Sequence, residues 1–204
     1  MSDISRLHVV TPPAVGPRVV DTARAVLAGG APLVQVRTKD VADRVRLAQT
    51  VEIAGAARAA GAICVVNDRV DVALAVGADG VHVGDDDLPA DVVRRLLGDG
   101  ALVGVTCRDH EAARRAVDAG ASYLGVGPVY ATSTKIGLPD PMGPAGVEGI
   151  ARAVGVPVIA IAGVTVERVP ELLDAGAWGV AVVGAVFGAA DPAGAVAEFL
   201  EVLL

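Results

Sequence analysis

Aromatic residues are scarce in this sequence. Only 2% of its 204 residues are Phe, Trp or Tyr, whereas 53% are hydrophobic. The core must therefore be built mainly from Ala, Val, Leu and Ile, the residues that fill the interiors of small barrels. A chain of this length can bury one substantial core, so we expect one domain that spans residues 1–204.

Cysteine and histidine are also rare, with two and three residues respectively. Cys64 and Cys107 show neither CxxC spacing nor the density of a disulfide scaffold, so we interpret both as small hydrophobic core residues. His8 and His82 fall within apolar runs, where core histidines are more frequent than catalysts. No Ser/His/Asp, Cys/His or zinc-ligand pattern occurs, which disfavours hydrolysis by a nucleophilic side chain.

Long basic runs and long apolar runs are absent as well. The formal net charge is −7 and no Lys/Arg cluster occurs, so the electrostatic footprint of a nucleic-acid-binding protein is missing. No apolar run reaches transmembrane length, and residues 1–5 lack the pattern of a secretory signal. We therefore expect a soluble, cytoplasmic protein without nucleic-acid or membrane partners. Any anionic ligand must be bound by a local cluster of side chains.

The sequence does contain a repeated alternation of short apolar runs and amphipathic segments. The runs are continuously apolar, as expected for parallel strands that are covered on both faces. Eight candidate strands result, at residues 7–11, 33–37, 63–66, 80–83, 102–105, 122–126, 157–161 and 179–183.

The amphipathic segments predict helices between the strands. The clearest lie at residues 41–60, 89–97, 111–119 and 166–175, and several precede a glycine that we predict as a helix C-cap, namely Gly61, Gly77, Gly120 and Gly176. Eight βα units favour an α/β fold of the (β/α)8 or TIM-barrel class, with a doubly wound open sheet as the alternative. The longest irregular stretch, residues 130–144, predicts a functional loop.

Polar residues interrupt the end of the second predicted strand. Gln35, Arg37 and Lys39 alternate along the chain, so the strand period of two sends them to one face. In a (β/α)8 barrel the carboxyl ends of the strands form the concave face where ligands bind. The pattern therefore predicts an anion site there. A solvated basic strand end is the less favoured alternative, because Gln35 and Arg37 break an apolar strand.

Acidic residues follow the third and fourth predicted strands. Asn67 and Asp68 come directly after one, and Asp85 to Asp87 come after the other. Carboxylates close to cations suggest Mg²⁺ with a phosphate-bearing substrate, because this ion takes one or two carboxylates and completes its octahedron with phosphate oxygens and water. The alternative is an acidic turn that caps the helix starting near Pro89.

Hydroxyl and glycine residues lie at the ends of the remaining strands. Thr106 ends the fifth strand, and glycines at positions 163 and 184 follow the seventh and eighth, the commonest phosphate site in barrels. The loop after the sixth strand carries a cluster of donors suited to phosphate, namely Thr132, Ser133, Thr134 and Lys135.

Together these stretches resemble the thiamine phosphate synthase family, barrel enzymes that join the pyrimidine and thiazole halves of thiamine. The resemblance runs from the first strand to the last helix. The matching stretches are QVRTK at 35–39, VND at 66–68, DGVHVG at 79–84 with Asp87, GPVY at 127–130 with Thr132, Thr134 and Lys135, and the glycines after the last two strands.

The resemblance implies two substrate sites and one metal site. It places the pyrimidine diphosphate on Gln35, Val36, Arg37, Thr38, Lys39, Asn67, Thr106 and Lys135, with Arg37, Lys39 and Lys135 as the catalytic cations. It places the thiazole phosphate on Thr132, Ser133, Thr134, Gly163, Val183 and Gly184. It assigns Mg²⁺ to Asp68 and Asp87. The oligomeric state is left open.

Four positions depart from the pattern of this family. The family commonly has Gln at Asp85, His at Arg108, a Gly-Gly pair at Ala162-Gly163 and Ser at Gly184. A thiazole phosphate tautomerase, a non-catalytic barrel that binds thiamine precursors and an unrelated phosphate-binding barrel enzyme are the alternative functions. The tautomerases resemble the synthases but rely on a His near position 108 and usually lack the paired carboxylates, so Arg108, Asp68 and Asp87 favour the synthase.

Overall fold

A computed structural model of the chain describes residues 4–132, 134 and 137–204. Eight parallel strands pair in chain order, and the pairing of Leu7 with Val180 joins the last strand to the first. The barrel is therefore closed, which confirms the predicted (β/α)8 fold and rules out the open sheet. The strands are β1 (Leu7–Val10), β2 (Leu33–Val36), β3 (Ile63–Asn67), β4 (Gly80–Val83), β5 (Leu102–Cys107), β6 (Tyr123–Val126), β7 (Val158–Ile161) and β8 (Gly179–Val182).

Helices connect and surround the strands. In the described part of the chain they are α1 (Pro17–Ala28), α2 (Asp43–Ala60), α3 (Val70–Val76), α4 (Ala90–Leu97), α5 (His110–Asp118), α6 (Gly143–Ala151), α7 (Val169–Asp174), α8 (Gly184–Phe187) and α9 (Pro192–Leu203). Three predicted helices agree with α2, α4 and α5 within two residues. The fourth divides into a 3₁₀ turn, Val166–Arg168, and α7.

Two of the four predicted C-cap glycines are confirmed. Gly61 and Gly77 end α2 and α3 in the left-handed conformation, with φ of 68° and 63°. The prediction is wrong by one residue for the other two, because Ala119 and Ala175 are the caps of α5 and α7. The glycines at 120 and 176 follow with φ of 91° and 86°, so the left-handed turn comes one residue after the helix end.

Alternate residues of each strand form two apolar layers. In β2, Leu33 belongs to the cluster inside the barrel, whereas Val34 and Val36 pack against α1 and α2. Cys64 and Cys107 are both buried free thiols, as predicted, and burial raises the pKa of each to about 12. This layering directs the polar residues of the odd positions in β2 into the barrel.

Two connections shape the carboxyl end of the barrel. Residues 127–142 join β6 to α6. The irregular stretch therefore ends two residues earlier than predicted, because α6 begins at Gly143 and Pro144 is tolerated in the first turn of a helix. The short helix α8 follows β8 directly. No helix among residues 4–132, 134 and 137–204 has the length and apolar character needed to cross a membrane.

Candidate active site

A cavity of about 500 Å³ opens at the carboxyl ends of the strands. Side chains from the ends of the strands and from the loops after β6, β7 and β8 form its walls. Nine of the residues predicted from the sequence line it together, namely Gln35, Arg37, Asn67, Thr106, Thr132, Thr134, Gly163, Val183 and Gly184. The two predicted substrate sites therefore belong to one continuous cavity.

Arg37 supplies a positive charge to one wall of this cavity. Burial lowers the pKa of its guanidinium, and the carboxylates of Asp68 and Asp40 offset that shift only in part. Within the described residues, no carboxylate lies within ion-pair distance of Arg37. A half-buried cation in this state favours an anionic ligand, because the anion replaces the water that burial has removed.

Thr11 fixes the backbone at Arg37, and sequence reasoning did not identify it. Its hydroxyl accepts a hydrogen bond from the Arg37 N–H at 2.8 Å and donates one to the Arg37 carbonyl at 3.1 Å. Thr11 follows β1 and is fully buried. The neighbouring strand thus holds the point where the Arg37 side chain turns into the cavity.

The other residues of the 35–39 stretch divide by side-chain direction. Val36 packs among the helices, and the Thr38 hydroxyl accepts a hydrogen bond from Arg46 Nε at 3.0 Å on α2. Neither side chain lines the cavity, so both can contact a ligand there only through the backbone. Lys39 instead reaches across to Asp68, directly after β3, and forms an ion pair with it. The prediction that Lys39 faces the cavity with Gln35 and Arg37 is therefore wrong, and neither Lys39 nor the predicted metal residues Asp68 and Asp87 line it.

Asp68 and Asp87 approach each other at the mouths of β3 and β4. Burial and the adjacent Asp68 carboxyl raise the pKa of Asp87, whereas its hydrogen bond from the Gly84 N–H, 2.8 Å long, and the Lys39 charge lower it. Asp68 itself has a left-handed φ of 65°, which Asp tolerates better than most residues. The two carboxylates repel each other, and the single charge of Lys39 offsets this repulsion only in part. A bound cation would reduce the remaining repulsion.

The donor chemistry of this pair fits Mg²⁺. Within the described part of the chain, no three His, Cys, Asp or Glu side chains gather into a group that could hold a metal by themselves. Mg²⁺ needs only one or two carboxylates when substrate phosphates and water fill the other positions. The alternative, that Asp85 to Asp87 cap the following helix, is not supported. The N-cap of α4 is Pro89, and no side-chain capping hydrogen bond forms there.

Hydroxyls and backbone amides gather on the opposite wall. Thr132 and Thr134 contact each other, with the Thr134 N–H and the Thr132 Oγ1 3.2 Å apart, and glycines at 163 and 184 lie across from them. Arg168, which sequence reasoning missed, also lines this wall, with its guanidinium 4.2 Å above the Tyr130 ring centroid. The predicted residues Ser133 and Lys135 lie outside the described residues.

The two glycines of this wall differ in whether the structure has room for a side chain at their positions. A Cβ at Gly163 would lie 2.6 Å from the Ala131 carbonyl oxygen, and its φ is 65°, whereas a Cβ at Gly184 would meet nothing closer than Thr134 Oγ1 at 3.7 Å. We expect Gly163→Ala to lower the free energy of unfolding by at least about 1 kcal/mol, because of the left-handed backbone. Gly184→Ala should leave it unchanged. Denaturant unfolding of both variants checks this, and equal stabilities would contradict it.

The backbone conformation at Ala162 explains why glycine is common at this position in the family. Ala162 has a φ of 80°, a conformation in which glycine is favoured, and this is the position where the resembling family commonly has glycine. We expect Ala162→Gly to raise the free energy of unfolding by up to about 1 kcal/mol, since the relief of left-handed strain exceeds the entropic cost of glycine. Thermal unfolding measures this, and a clear loss of stability would contradict the expectation.

The other unusual pair, Asp85 and Arg108, forms an exposed contact at the cavity rim. Arg108 Nη1 lies 3.3 Å from Asp85 Oδ2, and Arg108 also lines the cavity. These two departures from the family pattern, which follow β4 and β5, therefore contact each other. An exposed pair of this kind contributes little to stability.

His82 and Tyr123 form the polar floor of the cavity, together with His8. Burial lowers the pKa of His82 to about 4 and that of His8 to about 3, so both rings are neutral at neutral pH. His82 Nδ1 lies 3.1 Å from the Tyr123 hydroxyl, and its Nε2 lies 2.9 Å from Thr106 Oγ1. The sequence identified His8 and His82 only as core residues and gave no signal for Tyr123.

The fold and the cavity define a (β/α)8 barrel with a cavity at the carboxyl ends of its strands. A family model described as thiamine monophosphate synthase matches residues 7–186. The chain belongs to the thiamine monophosphate synthase family.

Individual relatives agree with this assignment. The chain is 51% identical to the thiamine-phosphate synthase of Salinispora arenicola over 208 residues, which cover 100% of this chain and 99% of that protein. It is 52% identical to the thiamine-phosphate synthase of Salinispora tropica over 206 residues with the same coverage. The solved structure of a thiamine phosphate pyrophosphorylase from Pyrococcus furiosus matches with a TM-score of 0.87 at 34% identity, covering 97% of this chain and 95% of that one.

Proposed function

We propose that this protein is a transferase that makes thiamine phosphate. It moves the 4-amino-2-methylpyrimidinylmethyl group from its diphosphate to the nitrogen of a thiazole phosphate and releases diphosphate. The single observation that carries the proposal is the continuous cavity, which brings the Arg37 side chain and the wall around Thr132 and Gly163 into one space. Family membership over residues 7–186 supports the same reaction.

One half of the cavity is suited to the pyrimidine diphosphate. Arg37 provides positive charge there, and Gln35, Asn67 and Thr106 provide neutral polar groups. Lys39, Asp68 and Asp87 do not line the cavity but form a charged group beyond the neighbouring strand ends. Lys135 is assigned to the same diphosphate by the sequence resemblance. Asp68 and Asp87 would hold Mg²⁺, which would neutralise charge on the leaving diphosphate.

The opposite half is suited to the thiazole phosphate. Thr132 and Thr134 offer hydroxyl donors, and the backbone N–H groups at Gly163 and Gly184 border the same space. Ser133 and Val183 belong to this half by the sequence resemblance. A phosphate anchored here would leave the thiazole ring directed toward the pyrimidine across the cavity.

The reaction needs no general base. The bond between the pyrimidine methylene and the diphosphate oxygen breaks, the aminopyrimidine delocalises the positive charge, and the thiazole nitrogen then forms the new carbon–nitrogen bond. The task of the protein is to stabilise the developing negative charge of the diphosphate and to align the two rings. Arg37 and Lys39 perform the first task, and the absence of a convincing base among the sequence candidates is consistent with this chemistry.

A tautomerase is the principal competing function. Arg108 occupies the position near which the tautomerases have a histidine, and its side chain contacts Asp85 at the rim. The neighbouring Asp68 and Asp87 pair has no role in a reaction without diphosphate. Both observations favour the synthase.

A cytoplasmic location of the protein stays a prediction.

Product analysis tests the proposal. The protein is mixed with the pyrimidine diphosphate, a thiazole phosphate and Mg²⁺, and each component is left out in turn. Mass spectrometry should detect thiamine phosphate and diphosphate only in the complete mixture. Isomerisation of the thiazole phosphate alone would establish the tautomerase instead, and binding of both compounds without any product would establish a non-catalytic barrel.

A further inference from the structure

Two contacts hold the Arg168 side chain against the cavity wall. Its Nη1–H donates a hydrogen bond to the Gly163 carbonyl oxygen at 2.5 Å, and its guanidinium carbon lies 4.2 Å from the centroid of the Tyr130 ring. Arg168 and Gly163 line the cavity together, whereas Tyr130 does not line it. The guanidinium therefore lies one hydrogen bond away from a residue that the sequence resemblance assigns to the thiazole phosphate.

The Tyr130 ring has a fixed position relative to this part of the wall. The Tyr130 N–H donates to the Ala162 carbonyl at 3.1 Å, so the segment after β6 pairs with the segment after β7. A Cβ at Gly163 would lie 2.7 Å from the Tyr130 Cβ, so the Tyr130 side chain starts directly against the Gly163 backbone. The ring that supports Arg168 is thus anchored to the same backbone that borders the cavity.

Glu171 is the carboxylate best placed in sequence to neutralise Arg168. It follows Arg168 by three residues, in the first turn of α7, and side chains three or four residues apart on a helix are neighbours that can form ion pairs. Arg95 and Asp91 form such a pair on α4 at 2.7 Å. Among the residues that the structure describes, however, no carboxylate lies within ion-pair distance of Arg168.

The Tyr130 hydroxyl accounts for the missing ion pair, because it donates a hydrogen bond to Glu171 Oε1. Burial and the adjacent Glu171 carboxylate raise the pKa of Tyr130 to about 12, so the hydroxyl keeps its proton at neutral pH and remains a donor. Tyr130 therefore holds the carboxylate at the edge of its ring and the Arg168 guanidinium over its face. The two charges stay apart, and the positive charge stays available to the cavity.

This charge stands alone on its wall. Of the described residues that line the cavity from the loops after β6, β7 and β8, only Arg168 is charged, and the donors beside it are neutral hydroxyls and backbone N–H groups. A phosphate monoester carries up to two negative charges near neutral pH, and hydrogen bonds between charged partners are stronger than those between neutral ones. A cation at this position therefore favours a phosphate over a neutral group.

We propose that Arg168 binds the phosphate of the thiazole substrate, and that Tyr130 is a positioning residue that keeps Arg168 available by holding Glu171 away from it. This inference rests on the proposed function, which places a phosphate ester on this wall. Neither Arg168 nor Tyr130 is among the residues that the sequence resemblance assigns to the thiazole phosphate.

The role of Arg168 is tested by calorimetric titration of the thiazole phosphate into Arg168→Met and Arg168→Gln. Both variants remove the charge, and glutamine keeps a donor for the Gly163 carbonyl. The affinity should fall by roughly tenfold or more in both, the usual loss of a hydrogen bond to a charged group. Affinity for the corresponding thiazole alcohol, which lacks the phosphate, should not change. Equal losses for the phosphate and the alcohol would reduce Arg168 to a structural role and overturn the inference.

Arg152→Met is the matched control for these variants. Arg152 pairs with Glu148 at 2.5 Å on the exposed surface at the end of α6 and does not line the cavity, so this variant should bind the thiazole phosphate like the intact protein. If the intact protein binds no thiazole phosphate, the proposed function fails and the inference fails with it. If the intact protein binds and Arg168→Met binds equally well, only the inference is overturned.

The role of Tyr130 is tested by a rescue experiment. Tyr130→Phe keeps the ring under Arg168 but releases Glu171, which can then pair with Arg168. The affinity for the thiazole phosphate should fall by roughly two- to fivefold, the equivalent of one exposed ion pair. Adding Glu171→Gln should restore it, and should raise the affinity more in the Tyr130→Phe protein than in the intact protein. An unchanged affinity in Tyr130→Phe, or a loss that Glu171→Gln does not restore, would overturn the role of Tyr130.

Discussion

Replacement of Arg37 by methionine is expected to lower kcat/KM for the pyrimidine diphosphate by roughly 10²–10³, the usual loss when one preorganised charge-stabilising group is removed. The half-buried guanidinium faces the cavity, and within the described residues no carboxylate is paired with it. Its charge is therefore available to the departing diphosphate. The loss should appear mainly in kcat, because the negative charge on the leaving group develops in the transition state.

Arg24→Met is the control for this prediction. Arg24 lies on α1, where it pairs with Glu52 and Asp21 on the outer surface, so the same substitution there should leave kcat/KM unchanged. Arg37→Lys should fall between the two, since it keeps the charge but loses the forked donor geometry. A kinetically normal Arg37→Met protein would remove Arg37 from the reaction.

Asp87→Asn is expected to act differently on two properties: it should not reduce the stability of the metal-free protein, but it should lower the activity at low Mg²⁺ concentration. The pKa of Asp87 is raised in the folded protein, so the folded state binds this proton more tightly than the unfolded state does, and the ionised carboxylate disfavours the metal-free fold at neutral pH. Asn removes that charge, so the melting temperature without Mg²⁺ should stay the same or rise. The Mg²⁺ concentration for half-maximal rate should nevertheless rise by roughly tenfold or more, equivalent to about 1.4 kcal/mol.

Asp86→Asn provides the matched control, because it makes the same change of charge one residue away at an exposed position. Its Mg²⁺ titration should superimpose on that of the intact protein. Acidification should also raise the Mg²⁺ requirement of the intact protein, since protons compete with the metal for a carboxyl whose pKa lies above its ordinary value. Superimposable titrations for Asp87→Asn and the intact protein would exclude Asp87 as a metal ligand.

The barrel could be predicted from the sequence because its signals are local. Each strand is a short continuous apolar run, and the period of two along β2 correctly placed Gln35 and Arg37 in the cavity while Val36 packs outward. The same period failed for Lys39, which lies beyond the end of the strand and pairs with Asp68 instead. The ends of strands and helices were accurate only within one or two residues, as at the caps of α5 and α7. Such ends depend on where the chain turns onto the next element rather than on periodicity.

The contacts between strands could not be predicted in the same way. His82 and Tyr123 are 41 positions apart and lie on different strands, so only the closed barrel brings them together. The same holds for Thr11, which contacts Arg37 from a neighbouring strand, and for Arg168, which reaches the cavity from the turn before α7. In the sequence each is an ordinary apolar-strand or helix-start residue without a chemical signature.

The proposed reaction requires that one cavity holds both phosphorylated ligands at once. Isothermal titration of the thiazole phosphate into protein saturated with Mg²⁺ and inorganic diphosphate, compared with titration into free protein, tests it directly. We expect one thiazole phosphate site per chain, with equal or higher affinity in the presence of diphosphate. Competition between the two ligands, with the thiazole phosphate displaced as diphosphate is raised, would contradict it.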